Sequence, residues 1–113
     1  MCKPYDVGTI YAGAMIRHIV MFGVDAVDDQ DRNDKITEAA VRLEKLVGVV
    51  PGLRTMTVGA NGVDIEGNYD FALIADLDDA DALSVYATHP AHLEVSSFIG
   101  TFKTSRASID IEL

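Results

Sequence analysis

The sequence predicts an α+β domain in which four strands form an antiparallel sheet and helices cover one of its faces. Three observations predict it. Periodic segments follow one another in the order strand, helix, strand, strand, helix, strand. One long segment has an apolar stripe of helical spacing, whereas the strand segments alternate or are rich in β-branched residues. Glycine, asparagine and proline punctuate the connections. This βαββαβ order is the ferredoxin-like arrangement.

Size, charge and cysteine content limit the class of protein. The 113 residues, 49% hydrophobic and 24% charged, are typical of one soluble globular domain. The net charge of −9 would repel nucleic acid and anionic membranes, so we expect neither partner. The apolar runs are far shorter than the roughly 20 residues that a membrane span needs. The single cysteine, Cys2, cannot form an internal disulfide, and we expect a cytoplasmic protein.

The first residues lack the pattern of the rest of the chain. Residues 1–14 show no hydrophobic periodicity, contain Pro4, Gly8 and Gly13, and lack the apolar core of a secretory signal. We therefore expect a flexible N-terminal tail over residues 1–14 and one folded domain over residues 15–113.

Strands are expected over residues 16–24, 53–60, 69–77 and 103–113. The first and third carry apolar residues on both faces, so the sheet face opposite the helices needs a cover, and a second copy of the chain is the economical one. His18 shares the richer apolar face of the first strand. It is either a hydrogen-bonded core residue or a base that lines a pocket.

The clearest helix is expected over residues 32–48, where an apolar stripe recurs at steps of four and three. Its members are Ile36, Ala40, Leu43, Val47 and Val50, and Leu46 widens it. The acidic residues before it lack the spacing of a calcium loop and are expected to be a solvated connection. A second helix should open at residues 78–81, because acids favour a helix N-terminus.

The stretch Tyr86-Ala-Thr-His-Pro-Ala-His92 concentrates titratable side chains. On one unbroken helix Tyr86 and His92 would point about 120° apart. Pro90 should end one helix near residues 86–88 and begin another, which can turn both side chains towards one point. Alternatively, Tyr86 packs on the core and the histidines cap helix ends. His89 and His92 could chelate, but the chain offers too few further ligands for a structural zinc site, so we expect no metal and no cofactor.

Five segments stand in a recognisable order. They are Met15-Ile-Arg-His-Ile-Val-Met-Phe22, Val50-Pro-Gly-Leu53, Tyr69-Asp-Phe-Ala-Leu73, Tyr86-Ala-Thr-His-Pro-Ala-His92 and Ser108-Ile-Asp-Ile-Glu112. Together they resemble the stress-responsive dimeric α/β-barrel (Dabb) family over about residues 15–112. The resemblance implies a homodimer in which the two sheets form a barrel at the interface.

The resemblance also implies candidate site residues. One plant member of the family, olivetolic acid cyclase, closes a linear polyketide by an aldol-type condensation. Similarity to it places a catalytic pair at Tyr86 and His92 and a pocket residue at His18; a further pocket histidine of that enzyme is replaced by Phe71 here. His18, Phe71 and His89 are the ligand-binding candidates. Such a reaction needs a base and a donor to the enolate, roles that suit a neutral histidine and a protonated tyrosine.

Three function classes follow. The first is a homodimeric protein of stress-response type whose small apolar pocket binds a small carbonyl-bearing or polyketide-like ligand without established catalysis. The second is a polyketide cyclase-like enzyme that uses the tyrosine and histidine pair. The third, an α/β-barrel monooxygenase or haem-degrading enzyme, is least favoured because one such class relies on tryptophan and this chain has none.

Overall fold

The computed structural model describes residues 14–113. The expected tail therefore falls, but for residue 14, outside the described residues and stays a prediction. The elements are β1 (Ile16–Val24), α1 (Asp29–Glu44), β2 (Leu53–Ala60), β3 (Phe71–Leu77), α2 (Ala80–Thr88), α3 (Pro90–Gly100) and β4 (Lys103–Glu112). Among them, no helix has the length and apolar character needed to cross a membrane.

The four strands form one antiparallel sheet in the order β2-β3-β1-β4. This arrangement confirms the predicted α+β class and the ferredoxin-like order, since the two central strands are the first and third in the chain. In the register of β1 with its neighbours, Met21 stands opposite Ala72 on one side and Ala107 on the other. His18 stands opposite Asp110 of β4.

One sheet face is buried under the helices. Alternate residues of β1 and β3 point there because successive strand side chains lie on opposite faces. The buried core residues from the sheet and α1 include Val20, Phe22, Leu43, Phe71, Leu73 and Leu77. The other face has no covering element within the described chain. We call it the free sheet face and define it by Ile19, Met21, Ala72, Ile74, Ala107, Ile109 and Ile111.

Helix α1 begins and ends earlier than the sequence predicts. The side chain of Asp28 accepts a hydrogen bond from the Asp31 backbone N–H at 2.8 Å and caps the helix. Beyond Glu44 the chain turns, and Gly48 has a φ of +89°. The expected stripe was wrong at Val47, which is 40% exposed, and at Ala40, which is only half-buried while Ala39 beside it is buried. Leu46, which was expected to widen the stripe, is buried. A helical spacing could not be extended through residues that lie in turns.

Strand β3 begins at Phe71 rather than at Tyr69. Asp70 ends the ladder with its side chain, since its carboxylate accepts a hydrogen bond from the Val24 N–H at 2.7 Å. Its own backbone N–H donates to the Phe22 carbonyl at 2.8 Å. The bond from the Val24 N–H to the Asp70 side chain replaces a backbone pair, and the observed strand is therefore two residues shorter at its start than expected.

Candidate functional site

The chain breaks between α2 and α3 at His89, which has the extended angles φ −65° and ψ 133°. Pro90 is the first residue of α3, as its fixed φ and missing N–H favour. The His89 Nδ1 accepts a hydrogen bond from the Ala91 backbone N–H at 3.1 Å, so this ring caps α3. The capping role that the sequence left open therefore applies to His89, and its ring is not among those that line the cavity described next.

A cavity of about 80 Å³ lies between the helix-covered sheet face, α1, α2 and α3. Its apolar wall consists of Val20, Phe22, Leu43, Leu73 and Ile99. Its polar lining consists of His18, Tyr86, His92, Ser96, Lys103 and Arg106. The structure thus brings together three of the five candidate residues, from β1, α2 and α3.

The three aromatic rings of the cavity form one group. The ring centroids of Tyr86 and His92 are 4.2 Å apart, with an angle of 40° between their planes. The centroids of His18 and Tyr86 are 5.9 Å apart, edge to face. Tyr86 is 2% exposed, so its hydroxyl is removed from bulk water. The break at His89 is what allows side chains six residues apart to meet.

The Tyr86 hydroxyl and the His92 Nδ1 are buried and have no hydrogen-bond partner within the described part of the chain. Most buried polar atoms in proteins are paired, and leaving one unpaired costs about 1–3 kcal/mol. The third such atom, the Arg32 Nε, is 3.6 Å from a carboxylate oxygen of Asp70 and does not line the cavity. The Tyr86 hydroxyl and the His92 Nδ1, by contrast, belong to side chains that line the cavity.

Asp110 positions His18. Its carboxylate oxygen lies 2.5 Å from the His18 Nδ1, and the two residues are partners in the register of β1 and β4. A carboxylate at Nδ1 favours a proton on that nitrogen and leaves Nε2 as the acceptor. Asp110 has no evident role in the sequence, because only the strand pairing reveals its neighbour.

Burial sets the protonation states of the pair. It raises the pKa of Tyr86 to about 12, with the charge of Arg106 acting in the opposite direction. Burial also lowers the pKa of His92; the charge of Arg106 adds to this, while the backbone of Ala87 opposes it. At neutral pH the phenol is thus a donor and the imidazole is a neutral base. For both groups burial is the largest cause of the shift in pKa.

The lowered pKa of His92 predicts a pH dependence of stability. As the pH falls below about 6.5, the unfolded chain binds a proton at His92 that the folded chain does not yet bind. The free energy of unfolding therefore falls until the pH is below the folded pKa. His92→Gln should remove this contribution. Urea unfolding at a series of pH values should give a shallower slope for the variant in that window; equal slopes would contradict the prediction.

Phe71 lies outside the group of three. It is 2% exposed, stands opposite Phe22 in the register of β1 and β3, and stacks on its ring at 4.8 Å between centroids. Phe22 lines the cavity, whereas Phe71 borders a separate surface depression next to Met21 and Tyr69. The position expected to hold a pocket residue therefore contributes a layer of packing behind the cavity wall.

Three polar residues of the cavity were not among the candidates: Ser96, Lys103 and Arg106. Arg106 belongs to the polar side of β4, which looks like a solvent face in the sequence. Its place at the cavity follows from the pairing of β4 with β1, in which Arg106 is the partner of Phe22. Within residues 14–113 no three histidine, cysteine or acidic side chains are placed to hold a metal ion.

Comparison with known proteins agrees with this fold. The model of the stress responsive A/B barrel domain (Dabb) family matches residues 16–113. An uncharacterized protein from Streptomyces coelicolor is 39% identical over 79 residues, which are 69% of this chain and 79% of that protein.

Two solved structures are similar to this chain over most of its length, and both are described as dimeric ferredoxin-like proteins of unknown function. The one from Bacteroides fragilis is 29% identical with a TM-score of 0.78, covering 88% of this chain and 96% of its own. The one from Thermobifida fusca is 31% identical with a TM-score of 0.74, covering 89% and 92%. With a family match that spans all the strands and helices, the chain belongs to the stress responsive A/B barrel domain (Dabb) family.

Proposed function

We propose that the cavity binds a small carbonyl-bearing ligand, of the kind found in polyketides, whose carbonyl oxygen accepts a hydrogen bond from Tyr86. The observation that carries this proposal is the buried, unpaired hydroxyl of Tyr86, whose ring centroid lies 4.2 Å from that of His92. A phenol whose pKa is raised to about 12 donates and does not ionise at neutral pH. A carbonyl oxygen is the partner that such a donor needs.

The dimensions of the cavity support a small ligand. A water molecule needs about 10–15 Å³ of such a volume, so about 80 Å³ has room for roughly five to eight water-sized groups and not for a large cofactor. Ser96, Lys103 and Arg106 line the cavity and are also exposed, which puts its opening at their side. The apolar wall suits a hydrocarbon portion, and the polar group lies beside it.

A second candidate function is catalysis of an aldol-type cyclisation. The opposed states of the pair favour it, because a neutral His92 can take a proton from the carbon next to a carbonyl while Tyr86 donates to the enolate oxygen that forms. The enolate carbon would then attack a second carbonyl of the same molecule, and the proton held by His92 would return to the new alkoxide. The monooxygenase alternative stays third, since the chain has no tryptophan.

We also propose that the chain forms a homodimer through the free sheet face. Support comes from its exposed apolar residues, with Met21 39% exposed, Ile74 41% and Ile109 58%. Contiguous apolar surface of this kind usually marks an interaction site. The related structures from Bacteroides fragilis and Thermobifida fusca are described as dimeric.

Tyr86→Phe tests the ligand proposal. We expect the free energy of unfolding to change by less than about 0.5 kcal/mol, because removal of an unpaired hydroxyl leaves no partner unsatisfied. We expect binding of aryl ketones and oxo acids to weaken by about two- to tenfold, the value of one hydrogen bond. Urea unfolding and NMR titration measure the two effects.

The matched control is Tyr69→Phe, since Tyr69 lies at a separate depression and does not line the cavity. It should leave binding unchanged. Loss of more than about 1 kcal/mol of stability in Tyr86→Phe would show that the hydroxyl has a structural partner and would count against the proposal. Unchanged affinity for every carbonyl compound would do the same. Turnover of a linear polyketide, abolished by His92→Gln, would separate catalysis from binding.

A further inference from the structure

Most basic side chains of the described residues form ion pairs with carboxylates, and a few do not. The chain has 18 acidic residues and 9 basic ones, so a carboxylate partner is available for almost any cation. Ion pairs with aspartate or glutamate hold Arg17, Arg32, Lys35, Arg42 and Arg54. Within residues 14–113, Lys45, Lys103 and Arg106 have no such partner. Two of these three line the cavity.

Arg106 is poorly satisfied by its own surroundings. Its hydrogen-bond partner among the described residues is the neutral hydroxyl of Ser108, at 3.3 Å from Nη1. Asp110, on the same side of β4, is bonded to His18 at 2.5 Å. A guanidinium has five N–H donors, so most of those on Arg106 remain available.

The charge of Arg106 also acts inside the cavity. The residue is the register partner of Phe22, which lines the same wall. Its charge lowers the pKa of both Tyr86 and His92, which places it within electrostatic reach of the candidate pair. Lys103, at the start of β4, adds a second cation on the exposed side of the cavity.

We propose that the ligand of this cavity is an oxo acid, whose carboxylate binds Arg106 with support from Lys103 while its ketone oxygen meets Tyr86. The inference rests on the proposed function, because it identifies the chemical class of the same ligand. A planar guanidinium matches a carboxylate with two parallel hydrogen bonds. In a protein of net charge −9, a cation at the opening also offsets the general repulsion of an anion.

The test compares 4-oxo and 5-oxo acids with their methyl esters, which keep the ketone and lose the charge. NMR titration of the full chain should show the acid binding at least about tenfold more tightly than its ester, as expected for a charged hydrogen bond. Arg106→Gln should remove that preference by weakening acid binding and leaving ester binding within about twofold. Arg106→Lys keeps the charge but loses the planar guanidinium that can donate two parallel hydrogen bonds. Its preference for the acid over the ester should lie between those of the wild-type protein and Arg106→Gln.

Controls separate this inference from the proposed function. Lys45→Gln removes an unpaired cation that does not line the cavity and should change neither affinity. Tyr86→Phe should weaken acid and ester alike. Loss of acid binding in Arg106→Gln without any effect of Tyr86→Phe would keep the anion site and overturn the carbonyl proposal. If instead Tyr86→Phe weakens binding, Arg106→Gln has no effect and acid and ester bind equally well, the carbonyl proposal stands and the oxo acid inference is overturned.

Two further outcomes count against the inference. If inorganic phosphate displaces the acid at a concentration similar to that of the acid, Lys103 and Arg106 bind anions in general and do not select a carboxylate. Absence of binding by every probe at millimolar concentrations would contradict both proposals. A melting curve for each variant checks that Arg106→Gln has not unfolded the protein; Arg106 is exposed, so we expect no change.

Discussion

Replacement of Ile109 by aspartate is expected to convert the proposed homodimer into a monomer. Ile109 is 58% exposed in the single chain and lies on the edge strand β4 of the free sheet face, opposite Ile19 of the central strand β1. A stable interface of standard size would bury roughly 800 Å² per partner and would take Ile109 out of water. An aspartate there would be an unpaired buried charge, and two-fold symmetry would introduce it twice.

Sedimentation or light scattering at micromolar concentration measures the result. The folded monomer should survive, because Ile109 contributes little to the core of one chain, and circular dichroism checks this. Val27→Asp is the matched control, since Val27 is 89% exposed and lies outside the free sheet face. It should leave the dimer intact. A wild-type protein that is monomeric at these concentrations, or an Ile109→Asp protein that stays dimeric, contradicts the proposed interface.

Gly52→Ala is expected to cost more than about 2 kcal/mol of stability, the largest loss among the single substitutions considered. Gly52 has a φ of +83°, where a side chain costs about 1–2 kcal/mol. A Cβ at this residue would also stand 2.6 Å from the Cβ of Ala82 in the first turn of α2. The Gly52 carbonyl accepts a hydrogen bond from the Asp78 N–H at 2.9 Å, so the turn at Gly52 and the start of α2 are held together.

Gly48→Ala separates the two costs, because Gly48 has a φ of +89° and nothing within 4 Å of an added Cβ. It should show only the cost of the dihedral angle. Ala82→Gly removes the clashing atom, so the double variant with Gly52→Ala should recover part of the loss. Urea unfolding of the wild-type protein, Gly52→Ala, Ala82→Gly and the double variant measures the coupling energy between residues 52 and 82. Equal losses for the alanine at residues 48 and 52 would show that contact with α2 does not constrain this turn.

The consequence for the site is a positional one. Helix α2 starts next to Gly52 and carries Tyr86 in its last turn. A shift of this helix moves the hydroxyl with respect to His92, whose ring lies on α3. We therefore expect Gly52→Ala to weaken ligand binding without any direct contact with the cavity.

Much of the fold was predictable because its signals are local. Strands β1 and β2 have the expected bounds, and α3 begins at Pro90 as the proline predicts. The joint between α2 and α3 was predictable for the same reason, since proline acts on its own backbone and on the residue before it. The end of α1 and the exposure of Val47 were not, because turns after Glu44 interrupt the helical spacing.

The candidate site shows where local reasoning stops. Tyr86 and His92 are close in the sequence, and their meeting needs only the break between them. His18 joins them because β1 is packed under α2 and α3, and Asp110 meets His18 only through the register of two strands that are far apart in the chain. Phe71 has a position in the family pattern, but its ring packs behind Phe22.

By itself the sequence determined the elements, their order and the family, since dihedral preferences, caps and apolar spacing act within a few residues. Only the tertiary structure decided which side of β4 meets the helices. The polar side, with Arg106 and Asp110, lies at the cavity, and the apolar side, with Ile109 and Ile111, lies on the free sheet face. Alternation identifies two faces of a strand, and long-range pairing selects between them, because the register with β1 assigns each face its neighbours.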